Sequence, residues 1–213
     1  MSDVVWLCNT QRNSMASRGF RSMDAGADGS SPSNKAEIET FRAIRFHRPV
    51  PSESLPSPQF IFQGEKRLDK KRHVMVGGCL IVSGESAAVL RAHDLGATRL
   101  VPVELFRQDK TTPVAGEWFY LLPGDAKPAL RVEASKGLTD LLGNGFKPRN
   151  STHLKDDYLV FSSEVLSPPD IWFDPAIIEA PILSDRLAKA LKKAKLAGHW
   201  DLVRCRVEKA WSA

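Results

Sequence analysis

Cysteine is scarce in this chain, and long apolar runs are missing from it. The 213 residues include three widely spaced cysteines, Cys8, Cys79 and Cys205. An odd number at such spacing argues against a disulfide framework and is typical of reduced thiols. No stretch approaches the roughly 18 apolar residues of a membrane span, and the first residues lack the pattern of a signal peptide. We therefore expect a cytoplasmic protein that does not enter a membrane.

Motifs that carry common chemistry are also missing. The segment Gly143–Lys147 has the wrong spacing for a phosphate loop and is followed by Pro148. The five histidines are scattered, and none of them forms the i, i+4 pair of a helical metal motif. No nucleophile elbow is present. The sequence therefore predicts no metal, no cofactor and no catalytic centre.

Scattered polar residues leave an enzyme as the alternative. Ser83 lies in a Ser-Gly-Glu-Ser stretch, His93 precedes Asp94, and the carboxylates of Asp170 and Asp174 resemble a glycosidase pair. We interpret the serine as a helix N-cap, the His-Asp pair as a solvated helix end, and the two aspartates as turn or cap residues. The alternative is a hydrolase or transferase with a site assembled from distant His, Ser and Asp.

The net charge of +5 permits an anionic partner without demanding one. One basic cluster lies within residues 65–72, where acidic residues interrupt it, and a second lies on the polar side of residues 185–195. We interpret both as solvated surface. A nucleic-acid binder concentrates its charge in a stripe with aromatic residues among it, so a nucleic-acid partner is not expected.

The first 70 residues differ in composition from the rest. Residues 4–8 predict a short strand, whereas residues 10–35 are rich in Ser, Gly and Asn and predict a long loop. Residues 36–48 fit a helix or a strand, and the prolines that follow favour an extended connector. We therefore divide the chain into an N-terminal region, 1–70, and an α+β domain, 71–213.

Residues 81–95 (IVSGESAAVLRAHDL) are similar to residues 182–196 (ILSDRLAKALKKAKL). In both, an apolar run ends at a serine, Ser83 or Ser184, which is predicted to cap a helix. An alternating strand follows each helix, and Gly198 is expected to end the second one. The pattern predicts two similar helix-strand units.

Between these units the sequence predicts mostly strands. Residues 117–122 are aromatic and end at a Pro-Gly-Asp turn, and residues 130–133 and 158–161 are also strand-like. Residues 137–150 predict a loop or a weak helix. We expect the α+β class, with a mainly antiparallel sheet and helices packed on one side.

The C-terminal third resembles the bacterial type-eleven immunity-protein family. The resemblance rests on Asp170-Ile171-Trp172, on Leu183-Ser184-Asp185-Arg186-Leu187, on Gly198, and on the closing strand 202–207. Residues 80–105 are similar to the first helix unit of the family. The match covers about residues 75–207 and leaves the N-terminal 70 residues unaccounted for.

This resemblance implies a non-catalytic protein that binds and neutralises a cognate bacterial toxin inside the producing cell. Aromatic and arginine side chains usually dominate such interfaces. The predicted partner-binding residues are Asp170, Trp172, Phe173, Asp174, Arg186 and Trp200, with Trp118 behind them. The competing interpretation places most of the tryptophans in the core. The sequence leaves the oligomeric state open, including a homo-oligomer.

Overall fold

The structure is a computed structural model that describes residues 4–12, 19–23, 35–61, 73–76, 79–149 and 153–208. Most of the predicted loop 10–35 and the basic cluster within 65–72 lie outside these residues. The ambiguous segment 36–48 forms a helix up to Arg45. The helices are α1 (Lys35–Arg45), α2 (Gly84–Arg91), α3 (Asp185–Lys193) and α4 (Ala197–Trp200).

The strands are short, and most of them hold buried apolar side chains. They are β1 (Val4–Cys8), β2 (Phe20–Ser22), β3 (Gln59–Ile61), β4 (Val74–Val76), β5 (Leu80–Ser83), β6 (Arg99–Pro102), β7 (Leu105–Phe106), β8 (Trp118–Leu122), β9 (Leu138–Asp140), β10 (Phe146–Pro148), β11 (Val160–Ser162), β12 (Ile171–Phe173), β13 (Pro181–Ser184) and β14 (Leu202–Glu208).

The largest sheet has the order β11-β14-β1-β13-β12, and all its pairs are antiparallel except β11 with β14. The strand predicted at residues 4–8 is confirmed and lies at the centre of this sheet. Its Trp6 pairs with Leu183 on one side and with Arg204 on the other. The division at residue 70 stays a prediction, but β1 is an integral part of the C-terminal sheet.

A second sheet, of order β4-β5-β8-β6, is antiparallel throughout. In both sheets the strand that leads into a helix, β5 or β13, lies between its hairpin partner and a middle strand. The strand that follows the helix, β6 or β14, pairs with the other edge of that middle strand. The arrangement therefore corresponds in the two sheets, while the predicted repeat of two units remains a prediction.

Two smaller sheets complete the architecture. One has the order β2-β3-β7, with β3 and β7 parallel, and the other is the hairpin of β9 and β10. This hairpin corrects the loop or weak helix predicted at 137–150. Its turn holds Leu142, Gly143 and Gly145 at positive φ, which a helix does not allow. The α+β class with mainly antiparallel sheets is confirmed.

Burial of apolar side chains joins the elements through three clusters. The first contains the inner faces of α2 and α3, which contact each other, together with side chains from both large sheets. The second lies mainly beneath the five-stranded sheet, and the third holds α1 and the three-stranded sheet against β5 and β8. The inner faces of α2 and α3 are thereby committed to the core, and their outer faces remain exposed.

Candidate partner-binding site

Asp170 immediately precedes β12, and its nearly buried carboxylate accepts hydrogen bonds from three residues. It accepts from Ser184 Oγ at 2.6 Å, from the backbone N–H of Asp94 at 3.0 Å, and from Arg186 through Nε at 3.2 Å and through Nη2. Burial alone would raise the pKa of Asp170, but these hydrogen bonds, that of Arg186 foremost, hold it below its ordinary value. The carboxylate is therefore ionised at neutral pH.

Ser184 connects this carboxylate to the start of α3. Its hydroxyl accepts the backbone N–H of Leu187 at 3.2 Å, as an N-cap does, while donating its own proton to Asp170. The predicted cap is confirmed. Its geometry places Arg186, two residues farther on, over the carboxylate that the serine also contacts.

An open groove lies beside this cluster, with a volume of about 650 Å³. We call it the Asp170 groove; its lining residues are Val165, Leu166, Ser167, Pro168, Pro169, Asp170, Ser184, Asp185, Arg186 and Lys189. The side chains of Arg186 and Lys189 are each 69% exposed, although Asp170 and Asp185 hold their charged ends. The groove thus combines apolar walls with two exposed cations, each of which is paired with a carboxylate; Arg186 makes the more ordered pair, through two nitrogens.

Three of the six predicted partner-binding residues, Trp172, Phe173 and Asp174, are buried in or beside β12. The carboxylate of Asp174 accepts backbone N–H groups from Ala129, Leu130 and Ala176 at 2.7 to 2.8 Å. Trp172 is fully buried, with Lys127 Nζ 4.5 Å above its ring. These side chains hold the core and one loop together and are buried in this structure.

Trp200, at the end of α4, is also fully buried. It connects the region of α3 and α4 with the region of α2. Its indole nitrogen donates to Ser86 Oγ of α2 at 3.2 Å. Trp118 is buried in the third apolar cluster. These tryptophans therefore lie in the core, as the competing interpretation predicts. Whether any of the six residues contacts a partner stays a prediction, but burial leaves Arg186 as the one that can do so with most of its side chain.

The sequence reasoning missed a second polar cluster, at the start of α2. Ser83 caps this helix by accepting the Ser86 N–H at 3.3 Å, as predicted, and it also lies 2.8 Å from His73 Nδ1. Glu85 approaches the same imidazole nitrogen at 3.6 Å. Both His73 and Ser83 are buried. In the sequence, one feature could have indicated this contact. His73 directly precedes β4, the strand that forms a hairpin with β5.

The cysteines are committed to the interior. The three cysteines are buried, and burial raises the pKa of Cys8 to about 11 and that of Cys79 and Cys205 further. Among the residues that the structure describes, no group of three or more His, Cys, Asp or Glu is arranged to hold a metal ion. No helix in the same ranges is long and apolar enough to cross a membrane.

Comparison of the sequence with protein-family models, and with curated proteins, found no match. The resemblance to the type-eleven immunity family therefore remains a prediction.

Proposed function

We propose that this protein is a non-catalytic immunity protein. It binds a cognate bacterial toxin in the cytoplasm of the producing cell and neutralises the toxin by staying bound to it, which we call neutralisation by occupancy. The observation that carries the proposal is the Asp170 groove, where Arg186 is exposed yet fixed. An arginine held in place before binding loses little conformational entropy when a partner docks, and arginine is enriched among residues that dominate interfaces.

The groove supports a mechanism of contact and not of bond-making. Leu166 is 44% exposed and lies beside Pro168 and Pro169, so an apolar anchor of a partner would find a rigid wall there. The two exposed cations, Arg186 and Lys189, would pair with acidic groups at the rim of that anchor. Charge complementarity of this kind accelerates association and rejects partners of the wrong charge.

The test is co-expression of this chain with the toxin encoded beside it. The double variant Arg186→Ala, Lys189→Ala is expected to lose protection of the cell and to weaken binding of the toxin by at least about tenfold. Lys193→Ala is the matched control, because this exposed lysine lies on the same helix outside the groove. Protection equal to wild type in the double variant, with its fold intact, would contradict the role of the groove.

A second proposal, a hydrolase or transferase, has one observation in its favour. His73 Nδ1 lies within hydrogen-bond distance of Ser83 Oγ, with the Glu85 carboxylate nearby. Against it, the hydroxyl already caps α2, and Ser83 is 3% exposed. Labelling with a fluorophosphonate probe separates the two proposals: an activated serine reacts in wild type and not in Ser83→Ala, whereas a capping serine reacts in neither.

A further inference from the structure

On another part of the surface, two arginines pair with a single carboxylate, and a lysine lies near enough to feel their charge. Arg12 ends the 3₁₀ turn Thr10–Arg12, Arg45 is the last residue of α1, and Lys147 lies in β10. Both arginines form ion pairs with Glu179, with Arg45 Nε 2.7 Å from Glu179 Oε1. We call Arg12, Arg45 and Lys147 the cationic cluster.

Hydrogen bonds to backbone carbonyls hold the three segments of the cluster together. The N–H of Glu179 donates to the carbonyl of Arg45 at 3.3 Å, which sets the end of α1 beside the carboxylate. The N–H of Ile178 donates to the carbonyl of Phe146 at 3.0 Å, which sets β10 beside the segment that carries Glu179. The side-chain amide of Asn9 donates to the carbonyl of Arg149 at 3.2 Å, which sets the 3₁₀ turn beside the end of β10. The three cations are therefore brought together by the fold and not by flexible side chains alone.

The charges of this group do not balance. Arg12 and Arg45 share one carboxylate, that of Glu179, and Lys147 forms no ion pair within the described ranges. The Arg45 Nε–H is buried and not aligned with the nearby carboxylate oxygen, which leaves it without a hydrogen-bond acceptor in the structure. Three cations and one carboxylate leave a net charge of +2.

Burial makes this imbalance costly. Burial, and to a smaller extent repulsion from Arg45, lowers the pKa of Arg12 to about 10. Burial, and to a smaller extent repulsion from Arg12 and Arg45, also lowers the pKa of Lys147. The cations are nonetheless reachable, because the side chains of Arg12 and Arg45 are 21% and 39% exposed. An additional anion would relieve the repulsion among them.

We propose that the cationic cluster is a binding site for a phosphate group, either free phosphate or the phosphate of a small molecule. A phosphate monoester carries a charge of about −1.5 to −2 at neutral pH, which matches the excess of +2, whereas one carboxylate would leave it half compensated. Guanidinium groups also match the geometry of phosphate oxygens. Glu179 would hold the two arginines in place before binding. This site is independent of the proposed function.

Calorimetric titration of the full chain with inorganic phosphate and with adenosine 5′-monophosphate tests the proposal. Wild type is expected to bind one equivalent of at least one of these compounds. Similar affinities would identify free phosphate as sufficient, and preference for the nucleotide would identify a phosphorylated small molecule. No saturable binding of either compound would overturn the site.

The variant Lys147→Gln is expected to reduce the affinity by at least about tenfold, since it removes one charge-assisted contact. Lys147 is chosen because its replacement breaks no ion pair of the described structure, and Lys155→Gln is the matched control at an exposed lysine. Unchanged affinity in Lys147→Gln would contradict the proposal.

Protonation of the ligand gives a further readout. Because the second pKa of a phosphate monoester is about 6, lowering the pH from about 7.5 to about 5.5 should weaken binding of adenosine 5′-monophosphate by roughly fourfold if the dianion is the bound form. Affinity that does not fall over this range would contradict a site for a doubly charged anion.

Discussion

The junctions at Ser83 and Ser184 have the same backbone frame but different side chains. In both, the serine N–H donates to the carbonyl of the residue that precedes the hairpin strand, His73 at 3.0 Å or Asp170 at 2.8 Å. In both, the serine hydroxyl caps the helix and contacts the side chain of that same residue. The residue two positions after the serine is acidic in one junction, Glu85, and basic in the other, Arg186.

The comparison separates positions that keep the backbone frame from positions that set the surface charge. The serine and its backbone partners are needed wherever a strand turns directly into a helix, because they satisfy N–H groups at the helix start. The side chain two residues later faces outward, 49% exposed for Glu85 and 69% for Arg186. Surface charge can therefore differ between the junctions while the frame is kept, and only the junction at Ser184 borders the Asp170 groove.

The largest effect is expected at Trp200, which ties the two regions together. Trp200→Ala should lower the free energy of unfolding by roughly 3–5 kcal/mol, because a fully buried indole is removed. Trp200→Phe should cost less, because it keeps an aromatic ring and loses the hydrogen bond to Ser86, about 1 kcal/mol, together with part of the buried volume. Urea denaturation measures both, and an Ala variant as stable as wild type would contradict the role of Trp200 in joining the two regions.

A smaller loss is expected at Asp170. Asp170→Asn should destabilise the protein by about 2–3 kcal/mol at neutral pH, because the neutral amide loses charge-assisted bonds with Arg186 and Ser184. Glu85→Gln, the same charge change at the other junction, should cost less than about 1 kcal/mol, since the Glu85 side chain is half exposed and lies 3.6 Å from its histidine partner. Equal losses in chemical denaturation would remove the distinction between the junctions.

The Asp170 effect should also depend on pH in a defined direction. The folded-state pKa of Asp170 lies below the ordinary value of 3.8. Its stabilising contribution is therefore complete above that value and is lost as pH falls through the folded-state pKa. The stability difference between wild type and Asp170→Asn should shrink below about pH 4, and a difference that grows on acidification would contradict the ion pair.

Losses smaller than that of Asp170→Asn are expected at the caps themselves. Ser83→Ala and Ser184→Ala should each cost about 1–2 kcal/mol, the usual range for removal of an N-cap with a further side-chain contact. Similar values from thermal unfolding would support the shared frame. A loss at Ser83 that far exceeds the loss at Ser184 would indicate that the junctions differ in structure.

Features that depend on a few neighbouring residues could be predicted from the sequence. The caps at Ser83 and Ser184 and the strand 4–8 follow from short patterns. The end of α3 did not: Lys195 adopts the left-handed conformation at φ 61°, whereas Gly198 lies inside the short helix α4. The prediction that Gly198 ends this helix is wrong, because α3 already ends at Lys193 and the chain turns at Lys195.

The site itself depends on contacts that no local pattern encodes. Asp170 meets the N–H of Asp94, 76 residues away, and β1 pairs with β13 and β14 near the other end of the chain. The strand predicted at 130–133 is wrong, because only Leu130 forms a bridge, to Phe161. Arg186 was identified, but as one of several anchors; its exposure above buried neighbours is a property of the folded chain.

The most direct test of the central claim is the stoichiometry of neutralisation. A fixed amount of the cognate toxin is titrated with this protein, and the remaining toxin activity is measured after equilibration. Neutralisation by occupancy predicts a linear loss of activity that is complete at one molar equivalent, with the two proteins recovered unmodified in one complex. Complete neutralisation by a small fraction of an equivalent, or no complex at all, would contradict it.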